Sequence, residues 1–200
     1  MIVKVCGITS DADARAAIEA GANAVGFNFW PGSPRYLAPG LAASFVPALT
    51  GVLKVGVFVD SPADEVARIV RLLHLDVAQL HGAASAPAGV TFWRAMAVRQ
   101  PFDAALLVNH EGAEAFLLDA PSGALTGGTG KTFDWALVRS ASGKIVVAGG
   151  LDASNVAQAI FTARPWGVDA CSKLESSPGT KDRAKVTAFV AAALAAAQAI

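Results

Sequence analysis

The sequence predicts an α/β protein, a single-domain (β/α)8 TIM barrel over residues 1–200, and three observations predict it. Short apolar segments alternate with segments of helical spacing eight times along the chain. The apolar segments are close to continuous, which fits strands buried on both faces, in a barrel or an open sheet alike. No Gly-x-Gly-x-x-Gly follows any of them, and a doubly wound open sheet would more usually have five or six strands, so the barrel is favoured. Eight units in 200 residues average about 25 each, at the lower size limit of such a barrel.

Ile2 to Cys6 is the first strand, interrupted by Lys4, and Ser10-x-x-Asp13 has the form of a capping box opening a helix that runs to Ala20. Asn23 to Phe29 predicts the second strand, followed by a turn from Pro31 to Pro34 and a helix from Pro39 to Leu49. Val52 to Val59 is the third, and Val66, Ile69, Val70 and Leu73 keep helical spacing after it. Asp76 to Leu80, Phe92 to Val98 and Ala115 to Leu118 make strands four to six, with short helical segments expected between them. Lys144 to Ala148 is the seventh, before a stripe of Val156, Ala159, Ile160 and Ala163. Gly167 to Cys171 is the eighth, and Val186, Phe189, Val190, Ala193, Leu194 and Ala197 mark a final amphipathic helix.

With 54% apolar and 16% charged residues, the chain is too hydrophobic to be disordered, yet it lacks an apolar run long enough to span a bilayer. Sixteen basic and sixteen acidic residues leave no net charge, so neither nucleic acid nor a membrane is an expected partner. The opening Met1-Ile-Val-Lys-Val-Cys has no export character, which predicts a cytoplasmic protein. Cys6 and Cys171 are expected to be reduced rather than bridged, and His74, His81 and His110 show no metal spacing with them, so no metal is expected.

In a barrel, polar residues at the C-terminal strand ends face one mouth, where active sites of this fold sit. That set is Cys6, Asn28, Arg35, Gln79, His81, Asp119, Gly149, Gly150 and Ser172. A thiol and a carboxyl group across the mouth suggest proton transfer, one as base and one as acid, and the glycines after strands seven and eight suggest a phosphate site. After Asp119 comes a loop with Gly127, Gly128 and Gly130, whose backbone N–H groups an anion can approach. Gly130-Lys131-Thr132 resembles the end of a nucleotide P-loop, but Leu125 stands where that pattern needs glycine. Lys4, inside the first strand, needs a counter-charge, and Glu175 is the candidate.

A resemblance adds what spacing cannot. Lys4-Val-Cys-Gly-Ile-Thr9, Gly26-Phe-Asn-Phe with Ser33-Pro-Arg-Tyr36, Gly56-Val-Phe-Val59, Gln79-Leu-His-Gly82, Leu118-Asp119 with Gly127-Gly-Thr-Gly-Lys-Thr-Phe-Asp-Trp135, Ala148-Gly-Gly-Leu151 with Asn155-Val156, and Gly179-Thr-Lys-Asp182 closely resemble phosphoribosylanthranilate isomerase of tryptophan biosynthesis. The resemblance implies an Amadori rearrangement of a phosphosugar, without a cofactor, by a monomer or homodimer. It implies Cys6 as general base, Asp119 as general acid, Arg35 on the anthranilate carboxylate, Gln79 and His81 against the substrate, and Gly128, Gly149, Gly150 and Ser172 around the phosphate. The related barrel isomerase of histidine biosynthesis looks longer and has aspartate where Cys6 stands. Two departures are visible. Ser172-Lys173-Leu174-Glu175 replaces the family's usual Ser-Gly-Val-Glu, and Cys171, at a position usually small, reads as a packing residue.

Overall fold

Strand β1 (Ile2–Val5) pairs in parallel with both β2 (Ala24–Asn28) and β8 (Gly167–Ala170), and this last pairing turns a sheet into a barrel. Between them, β3 (Leu53–Val59), β4 (Val77–His81), β5 (Phe92–Ala97), β6 (Ala115–Asp119) and β7 (Ile145–Val147) follow in chain order, each parallel to its neighbours. The structure is a computed structural model, and it describes residues 1–103, 107, 112–121 and 132–200. Every strand lies within one or two residues of its sequence-predicted limits.

Alternation along the strands sorts side chains into two cores. Val3, Val5, Val25, Phe27, Phe58, Leu80, Leu118, Val147 and Val168 point outward and are buried under the surrounding helices. Ala24, Val55, Val77, Trp93, Ala115, Leu117 and Val146 point inward and fill the barrel. Trp93 and Trp166 meet edge to face inside it, with ring centroids 5.7 Å apart. Lys4, Gln79 and Asp169 share the inward phase and are buried above this apolar floor. The same phase carries Cys6, Asn28, His81, Asp119 and Cys171 to the C-terminal rim.

Four helices follow the sequence-based reading. Helix α1 (Asp11–Glu19) opens as expected, with Ser10 Oγ accepting from Asp13 N at 3.2 Å. The Pro39–Leu49 segment is not one helix but a short α2 (Pro39–Ala42) and a 3-10 turn, Val46–Ala48. Pro47 explains the break, because it lacks an N–H and disfavours α geometry in the residue before it. Helix α3 (Ala63–Leu73) buries Val66, Ile69 and Leu73. No helix follows β4: residues 82–91 form turns, with Gly89 at φ 74° and Pro87 unable to donate, so the fourth of the eight expected helical units is absent. A 3-10 turn, Trp135–Val138, capped by Asp134, precedes β7, and α4 (Val156–Ala163) follows it.

After β8 the chain makes a 3-10 turn, Ser172–Leu174, and a hairpin of β9 (Glu175–Ser177) and β10 (Thr180–Lys181) that the sequence reading did not foresee. Helix α5 (Arg183–Gln198) closes the chain, with Asp182 accepting from the N–H groups of Ala184 and Lys185. Its buried face is Val186, Phe189, Val190, Ala193 and Ala196, so Leu194 and Ala197 lie at the margin of the expected stripe. Among the described residues, no helix is long and apolar enough to cross a membrane.

Candidate active site

A cavity of about 230 Å3 opens at the C-terminal rim, lined by Cys6, Asn28, Arg35, Gln79, His81 and Asp119 from the sequence-predicted set. Trp30, Asp169 and Cys171 line it too, and none of them was expected there. A smaller cavity adjoins it through Asp119, Asp169 and Cys171 and is lined by Gly149, Gly150, Ser172 and Lys173. Gly128, with the rest of the glycine loop at 122–131, lies outside the described residues, as does His110.

Lys4 is fully buried, and a buried ammonium needs a paired charge. Its partner is Asp169 on the adjacent strand, in register and 2.9 Å away, and not Glu175 as the sequence suggested. Burial alone would depress the Lys4 ammonium, but Asp169 and the neighbouring Cys6 outweigh it and hold it above the usual lysine range. Burial pushes Asp169 up to about 7 against the pull of Lys4. Lys4→Met is therefore expected to destabilise the fold by about 3 kcal/mol, because one partner of a buried pair is left behind. The sign with pH follows from Asp169. A carboxyl group whose folded pKa stands above its unfolded value near about 3.9 stabilises most when both states are protonated, and that contribution is lost as pH rises through the folded value. Losing Lys4 raises the folded value further, so urea titrations should show a larger deficit at pH 8 than at pH 5.

Glu175 instead joins Arg35 and Lys181. Arg35 donates from Nε and Nη2 to the two Glu175 oxygens, each at 2.8 Å, while Lys181 Nζ donates at 3.0 Å. Burial would push Glu175 up, but these two cations hold its carboxylate below the usual range. The pairing commits one edge of the guanidinium and fixes its plane at the cavity wall, leaving the Nη1–Nη2 edge for a substrate carboxylate.

Cys6 and Asp119 have environments that push them in opposite directions. The Cys171 thiol hydrogen-bonded to it, and then the Lys4 ammonium, hold the Cys6 thiol well below its ordinary range despite burial. For Asp119, burial dominates over the hydrogen bond from the Ala120 N–H and raises it to about 6. Gly149 packs closely against this carboxyl group. At φ 88°, it passes so close that a Cβ there would lie 2.5 Å from Asp119 Oδ1 and 2.8 Å from Ala120 N. Glycine alone fits that backbone and that approach.

Gln79 Nε2 and His81 Nε2 are 2.8 Å apart. Burial and the positive charge of Lys4 and Arg94 lower His81 to about 4, so the imidazole is neutral at neutral pH. With the Gln79 amide donating to Nε2, the ring proton sits on Nδ1. Gln79 Oε1 is buried with no hydrogen-bond partner among the described residues.

At the smaller cavity, Gly149 and Gly150 both have positive φ, and Ser172 opens the 3-10 turn. Lys173 lies within that turn and is exposed. It avoids left-handed backbone: among the described non-glycine residues, positive φ occurs at Asp60, His74 and Arg164. A signal for Asp169 was present in the sequence, as an acid inside an apolar strand. Cys171 offered none, because its neighbour comes from the other end of the chain.

The family model described as N-(5'phosphoribosyl)anthranilate (PRA) isomerase matches residues 3–192. The N-(5'-phosphoribosyl)anthranilate isomerase of Solibacter usitatus is 52% identical over 199 residues, covering 98% of each chain. Among solved structures, a monomer of the dimeric phosphoribosylanthranilate isomerase from Thermotoga maritima has a TM-score of 0.85 at 33% identity, covering 98% of this chain and 100% of that one. A phosphoribosyl anthranilate isomerase in complex with reduced 1-(o-carboxyphenylamino)-1-deoxyribulose 5-phosphate has a TM-score of 0.84 at 32% identity, with the same coverage. The likeness runs from the first strand into the final helix and is not confined to one motif, and the chain belongs to the N-(5'-phosphoribosyl)anthranilate isomerase family.

Proposed function

We propose that the barrel mouth performs the isomerisation of its family, the Amadori rearrangement of N-(5-phosphoribosyl)anthranilate to 1-(2-carboxyphenylamino)-1-deoxyribulose 5-phosphate, with Cys6 as general base and Asp119 as general acid. The observation that carries the reading is a thiol and a carboxyl group lining one cavity with opposed tuning, the thiol drawn toward its thiolate and the carboxyl raised toward its acid form. Asp119 protonates the ring oxygen as the C1–O bond breaks, giving a Schiff base. The Cys6 thiolate then removes the C2 proton, and the resulting enolamine tautomerises to the ketone. The enzyme works in the cytoplasm as a monomer or homodimer. Incubating the purified protein with phosphoribosylanthranilate and following loss of the anthranilate-adduct fluorescence tests this directly, and absence of turnover would overturn it.

The same geometry supports a set of binding roles. The free edge of Arg35 takes the anthranilate carboxylate, Gln79 Oε1 accepts from a sugar hydroxyl, and His81 holds the Gln79 amide from the rim side. Arg35→Lys keeps the charge and loses the planar fork, so discrimination between the anthranilate adduct and the plain aniline adduct should fall, as a ratio of kcat/KM values, by about 10-fold. Unchanged discrimination would remove Arg35 from carboxylate binding.

The phosphate is assigned to the backbone of Gly149, Gly150 and Ser172, with Gly128, outside the described residues, as a further contributor. Lys173, where the family resemblance implied glycine, adds a flexible point charge beside it. Lys173→Ala should raise KM about 3-fold at low ionic strength, leave kcat nearly unchanged and flatten the salt dependence of KM, because an exposed charge pair is screened by salt. Parallel KM curves across a salt series, without offset, would leave Lys173 no role.

A further inference from the structure

We propose that Cys6 and Cys171 form a reversible dithiol switch, in which a hydroperoxide oxidises Cys6 and Cys171 then closes a disulfide that stops turnover. Closure of the barrel creates the pair. The β1–β8 ladder runs Lys4↔Asp169 and Val5↔Ala170 in register, and Cys6 N continues it by donating to Ala170 O at 2.9 Å. Cys6 and Cys171 are therefore the next laterally adjacent residues, both on the inward phase and both lining the cavity. Neighbouring parallel strands lie about 4.8 Å apart. A disulfide spans Cα–Cα separations of about 4.4–6.8 Å. Two glycines leave room for the sulfurs: a Cβ at Gly26 would lie 2.7 Å from Cys6 Sγ, and one at Gly7 would lie 2.8 Å from Cys171 Sγ.

The chemistry divides the two roles. The Cys6 thiolate attacks the hydroperoxide, the O–O bond breaks, and a sulfenic acid and an alcohol, or water, result. Cys171 then attacks the Cys6 sulfur, the S–S bond forms, the S–O bond breaks, and hydroxide leaves with the Cys171 proton as water. Two thiols have lost two electrons and two protons, and the hydroperoxide has taken them up. Before oxidation, the hydrogen bond to Cys6 and burial raise the Cys171 thiol above its ordinary range, which keeps it protonated. Once Cys6 is an uncharged sulfenic acid, the part of that hold that comes from the Cys6 charge is released, while burial remains. Lys181 Nζ, 4.0 Å from Cys171 Sγ, and Arg35 then favour its thiolate, the attacking form. A thiolate-favoured cysteine on an open cavity beside a second thiol is the arrangement of a redox-responsive pair.

The loss of turnover rests on the proposed role of Cys6, whereas bond formation does not. The test treats the purified full chain with hydrogen peroxide and reads intact mass, free thiols and activity before and after dithiothreitol. The chain has two cysteines, so a monomer lighter by two hydrogens can hold only this bond. The expected result is that species, no free thiols, an activity loss on the order of 100-fold, and recovery with dithiothreitol. Cys171→Ser, compared with its own untreated activity, should instead gain two oxygens as the Cys6 sulfinic acid and stay inactive after reduction. Oxygen gain mapped to Cys6 by peptide mass in the wild type, two persistent thiols, or a disulfide-linked dimer would each overturn the proposal, whereas oxygen on the two methionines bears on neither thiol. The wild-type mass decides even if Cys171→Ser fails to fold. Disulfide formed with turnover retained would overturn the switch and the role of Cys6 as base, while leaving the bond itself in place.

Discussion

Cys6→Ala is expected to lower kcat by about 10²–10⁴-fold while leaving the affinity for a reduced product analogue close to that of the wild type. The reason is that a general base acts on a proton that moves only in the transition state, so its removal is felt there and not in ground-state binding. A loss of that size corresponds to about 3–5 kcal/mol of transition-state stabilisation. Cys6→Ser should behave alike, since a serine hydroxyl keeps the shape but does not ionise at neutral pH, and neither the Cys171 thiol nor the Lys4 ammonium can make up the difference. Steady-state kinetics beside calorimetric titration of the analogue measures both halves. Turnover near normal in either variant would remove Cys6 from the reaction.

Asp119→Asn should cost a comparable factor in kcat and also change the shape of the pH profile. The acid must carry its proton, and the free-enzyme value of about 6 means that the protonated fraction falls about tenfold per unit above that pH. In the wild type, kcat/KM is therefore expected to decline above about pH 6. The limb in kcat should lie higher, because a substrate phosphate held, as proposed, in the cavity that Asp119 shares with Gly149 and Gly150 would add negative charge that favours the protonated carboxyl. Asp119→Asn has no proton to titrate and should lose this limb altogether. A basic limb that persists in Asp119→Asn, or an affinity loss equal to the loss in kcat, would point to a structural cap at the end of β6.

Much of this protein was legible in local patterns. The strands stood out because a strand buried on both faces is a short apolar run wherever it sits, and the polar residues that end such runs, Cys6, Gln79, His81 and Asp119, announced themselves by breaking them. Gly149 and Gly150 were visible for a related reason, since a backbone with positive φ beside an anion admits little else. Pro47 was equally visible, and its missing N–H outweighs the helical spacing around it, so the chain leaves the α-helix after Ala42 and makes a 3-10 turn at Val46–Ala48.

Pairings between distant segments were another matter. Lys4 announced its need for a counter-charge, but Asp169 and Glu175 are equally acidic on paper, and only the β1–β8 register puts the first within 2.9 Å and turns the second toward Arg35 and Lys181. Cys171 looked like packing for the same reason. Side-chain periodicity is set by a residue's immediate neighbours in the chain, so the sequence by itself determined which segments become strands and which residues reach the rim. Which residues face each other across the closing seam depends on how eight twisted strands tilt and stagger to meet. That register, decided only in the folded barrel, is what lays one thiol against another and makes a cysteine 165 residues away from Cys6 part of its chemistry.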